Sequence, residues 1–524
     1  MTSSTIAASV ASPSSSSAGL SSSVAAGAPF SLSSVASTAT SSEAMNAQGV
    51  SISSAATTDS TSEAVPTTTG SEISSTGPIS SFLQSITTEE SDSLSLGLSI
   101  SAGLGGGSSL IPGTPTSSAS SVATTSASVR NGTSASGDKH VFAHFMVGIV
   151  STYAQADWEA DMKLAQSKGL TGFALNIGVD WYSQAQLDLA YAAADAVGFS
   201  LFISFDFNCQ LLIDGKPFVS SFIGDGFDWG AVATGVGKEI YAVPFWQASS
   251  ANAGNSGLSG LFSWAAWPGQ LDNVPVNANM TTDRDEAYLQ STGPVDKIYM
   301  APVSPWFSTH FGNEVSYPKN WLFKSETLWY DRWEEILSMN SSINFIELVT
   351  WNDYGESHYI GPYNTPHTDD GSSKWAAGLD HTAMLDFAEP YITAFKQGAS
   401  TPVITTEQLI YWYRPHLKAA ECDSTDNVGS KPTGWDFVSD TVFVAAQTKS
   451  GGSVTVTSGN NSPVTQPVGP GVTMLQVPMG VGPQTFEFTP TGGAKASATG
   501  NVTISDQCWN GIYNFNFHSG VVSS

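Results

Sequence analysis

From Lys139 to about Gly398, short apolar runs alternate with stretches of helical period, and this alternation constrains the fold more than any other feature. The runs are VFAHFMVG (Val141 to Gly148), GFALNIG ending at Gly178, SLFISFDF (Ser200 to Phe207), PFVSSFIG, YAVPFW, GLFSWAAW, KIYMAPVSPW and FIELVTWNDY. Between the first of them stand DWEADMKLAQSKG, opening near Asp157 and stopping at Gly169, and SQAQLDLAYAAADAVG, with Ala and Leu at three- and four-residue intervals. DRWEEILSMN and HTAMLDFAEPYITAF follow as later helices. Eight strand candidates with helices between them predict an α/β fold, a (β/α)8 TIM-like barrel spanning 139–398.

The flanks read differently. Residues 1–138 are mostly Ser, Thr, Ala and Gly, with Arg130 the only basic residue, and they lack the apolar surface that offsets ordering entropy. A disordered low-complexity Ser/Thr-rich segment is expected there, either O-glycosylated or a plain spacer. After about Ser400 the helical period gives way to TVFVAA, GSVTVTSG, TMLQVP, QTFEFTP and NVTISD, set between Gly, Pro and Asn turns. That pattern predicts a C-terminal β-sandwich over 399–524 as an accessory domain. Cys422 and Cys508 lie near its two ends, where a disulfide and two separate thiols are both open.

One connection breaks the rule. After SFDFN at Asn208 only CQLLIDGK stands before Pro217, whereas a parallel crossover needs roughly a dozen residues or more. The third helix is expected to be missing, as if an exon had been skipped, with Cys209 at the seam.

The 524-residue chain has 18 basic and 45 acidic side chains, a net charge of −27, which repels polyphosphates and anionic membranes. No nucleic acid and no membrane partner is therefore expected. No apolar run approaches the roughly 18 residues of a membrane span. Met1 to Leu20 has neither a basic n-region nor an apolar h-region, so no signal peptide is legible in it. Three cysteines without a CxxC pair exclude a disulfide framework and a thiolate metal site.

In barrels of this kind the reactive groups sit where strands end. Those positions carry His144, Asn176, Asp180, Asp206, Asp225, Asp228, Asn352, Asp353 and Glu356, interleaved with Trp181, Trp264, Trp267, Trp306 and Tyr354. Paired carboxylates among indole faces suit glycosidic hydrolysis, in which one carboxyl protonates the leaving oxygen and another activates water or attacks the anomeric carbon. Asp353 and Glu356 stand in WNDYGESHYIGPY with no basic neighbour, which fits a solvated surface poorly. Asp206 ends an apolar run at a strand mouth. Asp225 and Asp228 serve equally well as helix caps, and His144 reads as readily as a satisfied barrel histidine. GxGxxG after a strand, GxxxxGK[ST] and HExxH are all absent, and His358 and His367 near Asp369 and Asp370 match no ligand spacing, so no cofactor and no metal is expected.

VFAHFMVG, GFALNIGVD, LFISFDFN, GKPFVSSFIGDGFDW, LFSWAAWP, MAPVSPWFSTHF, WNDYGESHYIGPY and IYWYRP together closely resemble the fungal α-1,3-glucanases, or mutanases, of glycoside hydrolase family 71. The resemblance runs from about His140 to the end of the sequence. It implies endo-hydrolysis of α-1,3-glucan with inversion by a (β/α)8 domain and a β-rich module, without a cofactor. Carried over by motif, the acid of SFD is Asp206 and those of WNDYGE are Asp353 and Glu356. Glu356 is then expected as general acid and Asp353 as base, with Asp206 orienting water or substrate. Asp206 becomes the base if Asp353 stands too close to Glu356. His144, Asn176, Asp180, Trp181, Asp225, Asp228, Trp264, Trp267, Trp306, Asn352, Tyr354 and His358 are expected to contact the polysaccharide.

Two departures from the family pattern stand out: the helical stretch between SFD and GKPFVS is absent, and no signal peptide is visible although the family is secreted. Sequons at Asn131, Asn279, Asn340, Asn460 and Asn501 fit an extracellular or cell-wall monomer. The rival expectation is a catalytically impaired carbohydrate-binding or wall-structural protein that keeps the aromatic cleft but lost turnover with the missing helix. A hydrolase of another linkage is a third.

Overall fold

In β1 (His140–Met146), Phe142 and His144 face one way and Val141, Ala143 and Phe145 the other, as the pleat of a strand requires. This division organises the α/β half of the molecule. The computed structural model describes residues 137–524 except 179, 203–210, 271–272, 364–365, 423–425, 427 and 524. The segment 1–138 lies almost wholly outside the described residues, as do Asp206 and Cys209.

Six strands form a parallel sheet in the order β3 (Ser200–Phe202), β2 (Gly172–Asn176), β1, β11 (Phe345–Leu348), β8 (Ile298–Val303) and β7 (Gly260–Phe262). A second group follows from the other edge. β5 (Lys216–Val219) pairs in parallel with β6 (Tyr241–Ala242), and β6 runs on to β7 through Ser259 N–H to Ala242 (2.8 Å) and Phe262 N–H to Pro244 (2.9 Å). At the remaining seam, Leu211 N–H reaches the Leu201 carbonyl at 2.7 Å. Phe142, Ala174, Phe202, Phe218, Tyr241, Phe262, Met300 and Phe345, one residue from each of these eight strands, meet in a single buried cluster. The opposite faces pack on the helices. In Ser183–Val197, Leu187, Ala190, Tyr191 and Ala194 form the buried stripe, and the helix stops at Gly198 in the left-handed conformation (φ 73°).

The apolar runs overshoot the strands. GLFSWAAW is extended only to Phe262, and Ser263 to Trp267 turn off above the sheet with Trp264 and Trp267. PFVSSFIG ends as a strand at Val219, and beyond it Ile223, Gly224 and Gly226 take positive φ values of 61°, 101° and 89°. Between β3 and β5 the described residues hold no helix. They hold β4 (Leu212–Ile213), which forms a hairpin with β5 through Asp214 (φ 50°) and Gly215 (φ 78°), the Asp-Gly chemistry of a tight turn. β9 (Ser308–Phe311) and β10 (Lys319–Leu322) form a further hairpin after β8.

Downstream, β12 (Gln408–Tyr413), β13 (Thr441–Thr448), β16 (Gly471–Pro478) and β19 (His518–Ser523) make one four-stranded antiparallel sheet. β14 (Gly452–Ser458), β15 (Val464–Val468), β17 (Gln484–Pro490) and β18 (Ala496–Thr499) make another. Leu409, Tyr411, Val442 and Val444 meet Val454, Val456, Phe486 and Phe488 between them, with Tyr411 stacked on Phe486 at 3.8 Å. Ile410, Trp412, Phe443 and Ala445 point the other way, into the apolar layer shared with helix Ala383–Gln397. All six residues of β12 are buried for this reason. Cys422 and Cys508 are bridged.

Candidate active site

The segment after β11 folds back on itself. Thr350 N–H bonds the His358 carbonyl (2.9 Å), Ile360 N–H the Thr350 carbonyl (3.0 Å) and Gly361 N–H the Trp351 carbonyl (2.8 Å). The crossing is so close that a Cβ on Gly361 would stand 2.6 Å from the Trp351 ring, which explains the glycine in this motif. Inside the loop, Asp353 Oδ1 accepts the Glu356 N–H at 2.9 Å, and Ser357 takes a left-handed backbone (φ 63°). The result is a cluster of Asp353, Glu356 and His358 over the β1–β11 end of the sheet.

His358 is fully buried and joins both acids. Its Nε2 lies 2.9 Å from Glu356 and 3.8 Å from Asp353, while its Nδ1 faces the Thr350 hydroxyl at 3.1 Å. Thr350 Oγ1 already accepts the Asp353 N–H (2.9 Å), so its own proton is free for Nδ1, leaving Nε2–H to donate to Glu356. The other partner of Glu356 is Lys319, which arrives from β10 and pairs with Oε1. Burial drives Glu356 up, but Lys319 and His358 outweigh it and hold the carboxyl down at about 2. Asp353 is raised, because burial and the neighbouring Glu356 charge exceed the help it gets from His358 and Lys319. Burial alone would lower Lys319, yet Glu356 and Asp353 raise it. The two acids are thus pushed apart, Glu356 downward and Asp353 upward. One ligand-type atom from each of Asp353, Glu356 and His358 lies within 4.8 Å of the others, but the positive charge standing among them is the Lys319 ammonium.

A second polar set stands one layer above the interior cluster. His144 Nδ1 bonds Glu347 (2.8 Å) and its Nε2 bonds Asn176 (2.9 Å), all three on the inward side of β1, β2 and β11. Trp264 links this set to the first, 4.7 Å from His144 and 6.5 Å from His358 between ring centres, and Trp267 covers His358 at 4.9 Å. His144, Asn176, Trp264, Trp267 and His358 therefore do converge with Asp353 and Glu356.

Other expected contacts take structural positions. Asp228 caps helix Trp229–Val236 through the Ala231 N–H (3.0 Å). Asp225 accepts from Asn252 (3.1 Å) and from Gln247 N–H (3.4 Å). Asn352 is buried and pins the Met146 backbone, and the Tyr354 hydroxyl donates to the Pro362 carbonyl. Trp306 is 1% exposed, donates to the Ser357 carbonyl and packs on His381 and Phe517, so it supports the loop from behind rather than facing substrate. Asp180 and Trp181 follow β2, and Trp181 is 91% exposed.

Sequence reasoning passed over Lys319, Glu347, Thr350 and Tyr317. Glu347 did leave a signal, as a lone acid inside the apolar strand FIEL. Tyr317 is half exposed, with Lys319 Nζ 5.7 Å from its ring centre, beside the acids.

The profile described as glycosyl hydrolase family 71 matches residues 137–211 and 208–524, two pieces that meet at the short connection. Named relatives cover most of the same stretch. A mutanase of Penicillium rubens is 43% identical over 411 residues, 74% of this chain and 89% of that one. A glucan endo-1,3-alpha-glucosidase of Schizosaccharomyces pombe is 38% identical over 74% of this chain and 95% of its own. The ascus wall endo-1,3-alpha-glucanase of the same yeast is 31% identical over 61% and 81%. With the profile spanning the α/β half, the acidic loop and the paired antiparallel sheets alike, the chain belongs to glycosyl hydrolase family 71.

Proposed function

We propose that this chain is an endo-acting hydrolase of α-1,3-glucan that works with inversion, as a secreted or wall-associated monomer. Its catalytic unit is a (β/α)8 TIM-like barrel over 139–398, followed by a β-sandwich over 399–524. The single interior cluster fed by eight strands supports the barrel, and the shared core of the two antiparallel sheets supports the sandwich. Membership of family 71 and the names of its relatives support the substrate. The observation that carries the mechanism is the pair of neighbouring carboxyls, Asp353 raised and Glu356 held at about 2.

Inversion separates acid from base by about 6.5–9.5 Å so that water fits between them. Asp353 and Glu356 bring one oxygen each within 4.8 Å, closer than that spacing. The base is assigned to Asp206, the acid of the SFD motif, which takes a proton from the water attacking the anomeric carbon. Asp353 delivers its proton to the departing glycosidic oxygen. Glu356, held ionised by Lys319 and His358, stabilises the positive charge that grows on the sugar ring and raises Asp353's hold on its proton. This moves the acid from Glu356 to Asp353 and takes up the alternative base Asp206, and the reason is Lys319, which the motif does not contain. His144, Asn176, Trp264 and Trp267 form the cleft wall, and the exposed rings of Trp181 and Tyr317 supply outer stacking platforms.

Incubation with insoluble α-1,3-glucan tests the reading through released reducing ends, alongside a pull-down on the same polymer. Release of short oligosaccharides, absent with β-1,3- and α-1,4-glucans, supports it. Binding without release favours the impaired wall-binding protein, to which the split match at 208–211 lends its one observation.

A further inference from the structure

We infer that Lys319 is a positioning residue for Glu356, and that the disulfide-tethered segment around Asp426 holds it in place by gripping the β9–β10 hairpin from behind. The inference rests on the reading of Glu356 as a group of the reacting site.

In the antiparallel register, Phe311 lies opposite Lys319 and His310 opposite Asn320. Adjacent pairs on a strand face opposite sides, so the hairpin has two functional faces. The front face offers Lys319, over the Phe311 ring at 5.7 Å, to Glu356. The Ser308 N–H also donates to the Glu356 carbonyl at 3.1 Å, so the hairpin holds this residue by backbone and side chain together.

The rear face is fixed by the C-terminal segment. Asn320 Nδ2 donates to the Ser430 carbonyl (3.0 Å), which turns its Oδ1 toward His310 Nδ1 (2.8 Å), and His310 Nε2 meets Asp426 at 2.9 Å. Both ring nitrogens thus face acceptors, in a pair only 4% and 1% exposed. Asp426 is held in turn by the N–H groups of Tyr513 (3.0 Å), Val428 (2.9 Å) and Gly429 (3.2 Å). Thr433 adds two backbone bonds to β10, to Asn320 and Leu322, each 3.0 Å. Cys422–Cys508 ties the segment to the stretch that carries Tyr513. Breaking a buried pair strands its partner, so the hairpin cannot let go of Asp426 cheaply. The titratable groups facing Glu356 are Lys319, His358 and Asp353, with Tyr317 and Asp370 next outward.

The test is the pH profile of kcat/KM on α-1,3-glucan for Lys319→Met, Lys319→Arg and Asp426→Asn, with melting temperatures. Without the ammonium, Glu356 returns toward the ordinary carboxylate range near ~4.3, so Lys319→Met gains an acidic limb at least about one pH unit above wild type. Lys319→Arg keeps the wild-type limb. Asp426→Asn moves the limb the same way by a smaller amount and adds no shift in the Lys319→Met background. If the methionine variant does not fold, Lys319→Gln gives the same reading. An unmoved limb in Lys319→Met, or an Asp426→Asn variant that loses melting temperature with its limb unchanged, overturns the inference. Activity surviving in Glu356→Gln instead removes the catalytic reading beneath it, a separate outcome of the same series.

Discussion

The imidazole of His358 lies 4.9 Å, ring centre to ring centre, from the indole of Trp267 and is inclined to it by 30°. The indole is 2% exposed and excludes water from the ring that donates to Glu356. Trp267→Phe is expected to keep most of kcat, while Trp267→Ala admits water beside His358 and loses roughly tenfold or more. Steady-state kinetics on soluble α-1,3-oligoglucosides separates the two variants.

Asp353→Asn and Glu356→Gln are each expected to lower turnover by roughly 10²–10⁴ while glucan binding persists, since both keep shape but lose charge or proton transfer. Their stabilities diverge. Glu356→Gln leaves Lys319 half-buried without its anion and lowers the melting temperature, whereas Asp353→Asn removes a desolvated acid and does not. A Glu356→Gln variant at least as stable as wild type refutes this account of the pair.

The pH response follows from the same two shifts. Glu356 at about 2, below its ordinary range near ~4.3, gives stability that is present above ~4.3 and is lost as pH falls toward 2. Asp353 is raised, so its protonated form survives to higher pH, and activity falls as pH climbs through its pKa. The expected profile has a low-lying acidic limb and a basic limb that Asp353→Asn abolishes along with activity. An acidic limb well above pH 4 in the wild type contradicts it.

Trp181 after β2 and Tyr317 beside Lys319 both expose their rings. Replacing either with Ala is expected to raise KM several-fold to about tenfold with kcat nearly unchanged, and Phe at 317 restores KM. A matching fall in kcat assigns the residue to the reacting site instead.

Asn208 to Lys216 leaves no length for a crossover helix, and the family match divides at 208–211. Inserting a helical segment after Asn208 is expected to raise soluble yield and specific activity together. Equal yield and activity without the insertion identify the short connection as a working variant.

The pleat made much of this molecule legible. VFAHFMVG already placed His144 inward, and the acids of WNDYGESHYIGPY announced themselves by the want of any basic neighbour. Lys319 was not legible. It comes from a hairpin 37 residues earlier, with no periodicity to mark it, and only the tertiary fold brings it to Glu356. Trp306 was misleading for a different reason: an indole at a strand end fits a sugar platform and a buried prop equally well, and the choice depends on Phe517, far along the chain. Asp228 was ambiguous because a carboxylate ahead of a helix is useful without any substrate.

β19 supplies the closing thought, in terms of time. Ser519 donates to the Asp380 carbonyl at 2.7 Å, the Phe517 carbonyl meets His381 at 2.9 Å, and β19 completes the sheet beside β12. These contacts support the helix and loop immediately behind Asp353 and Glu356, yet they come from the last residues described. A ribosome releases the catalytic loop well before it releases its prop. The acids are therefore expected to stay unorganised until β19 has emerged, and the enzyme to become competent in one step rather than strand by strand.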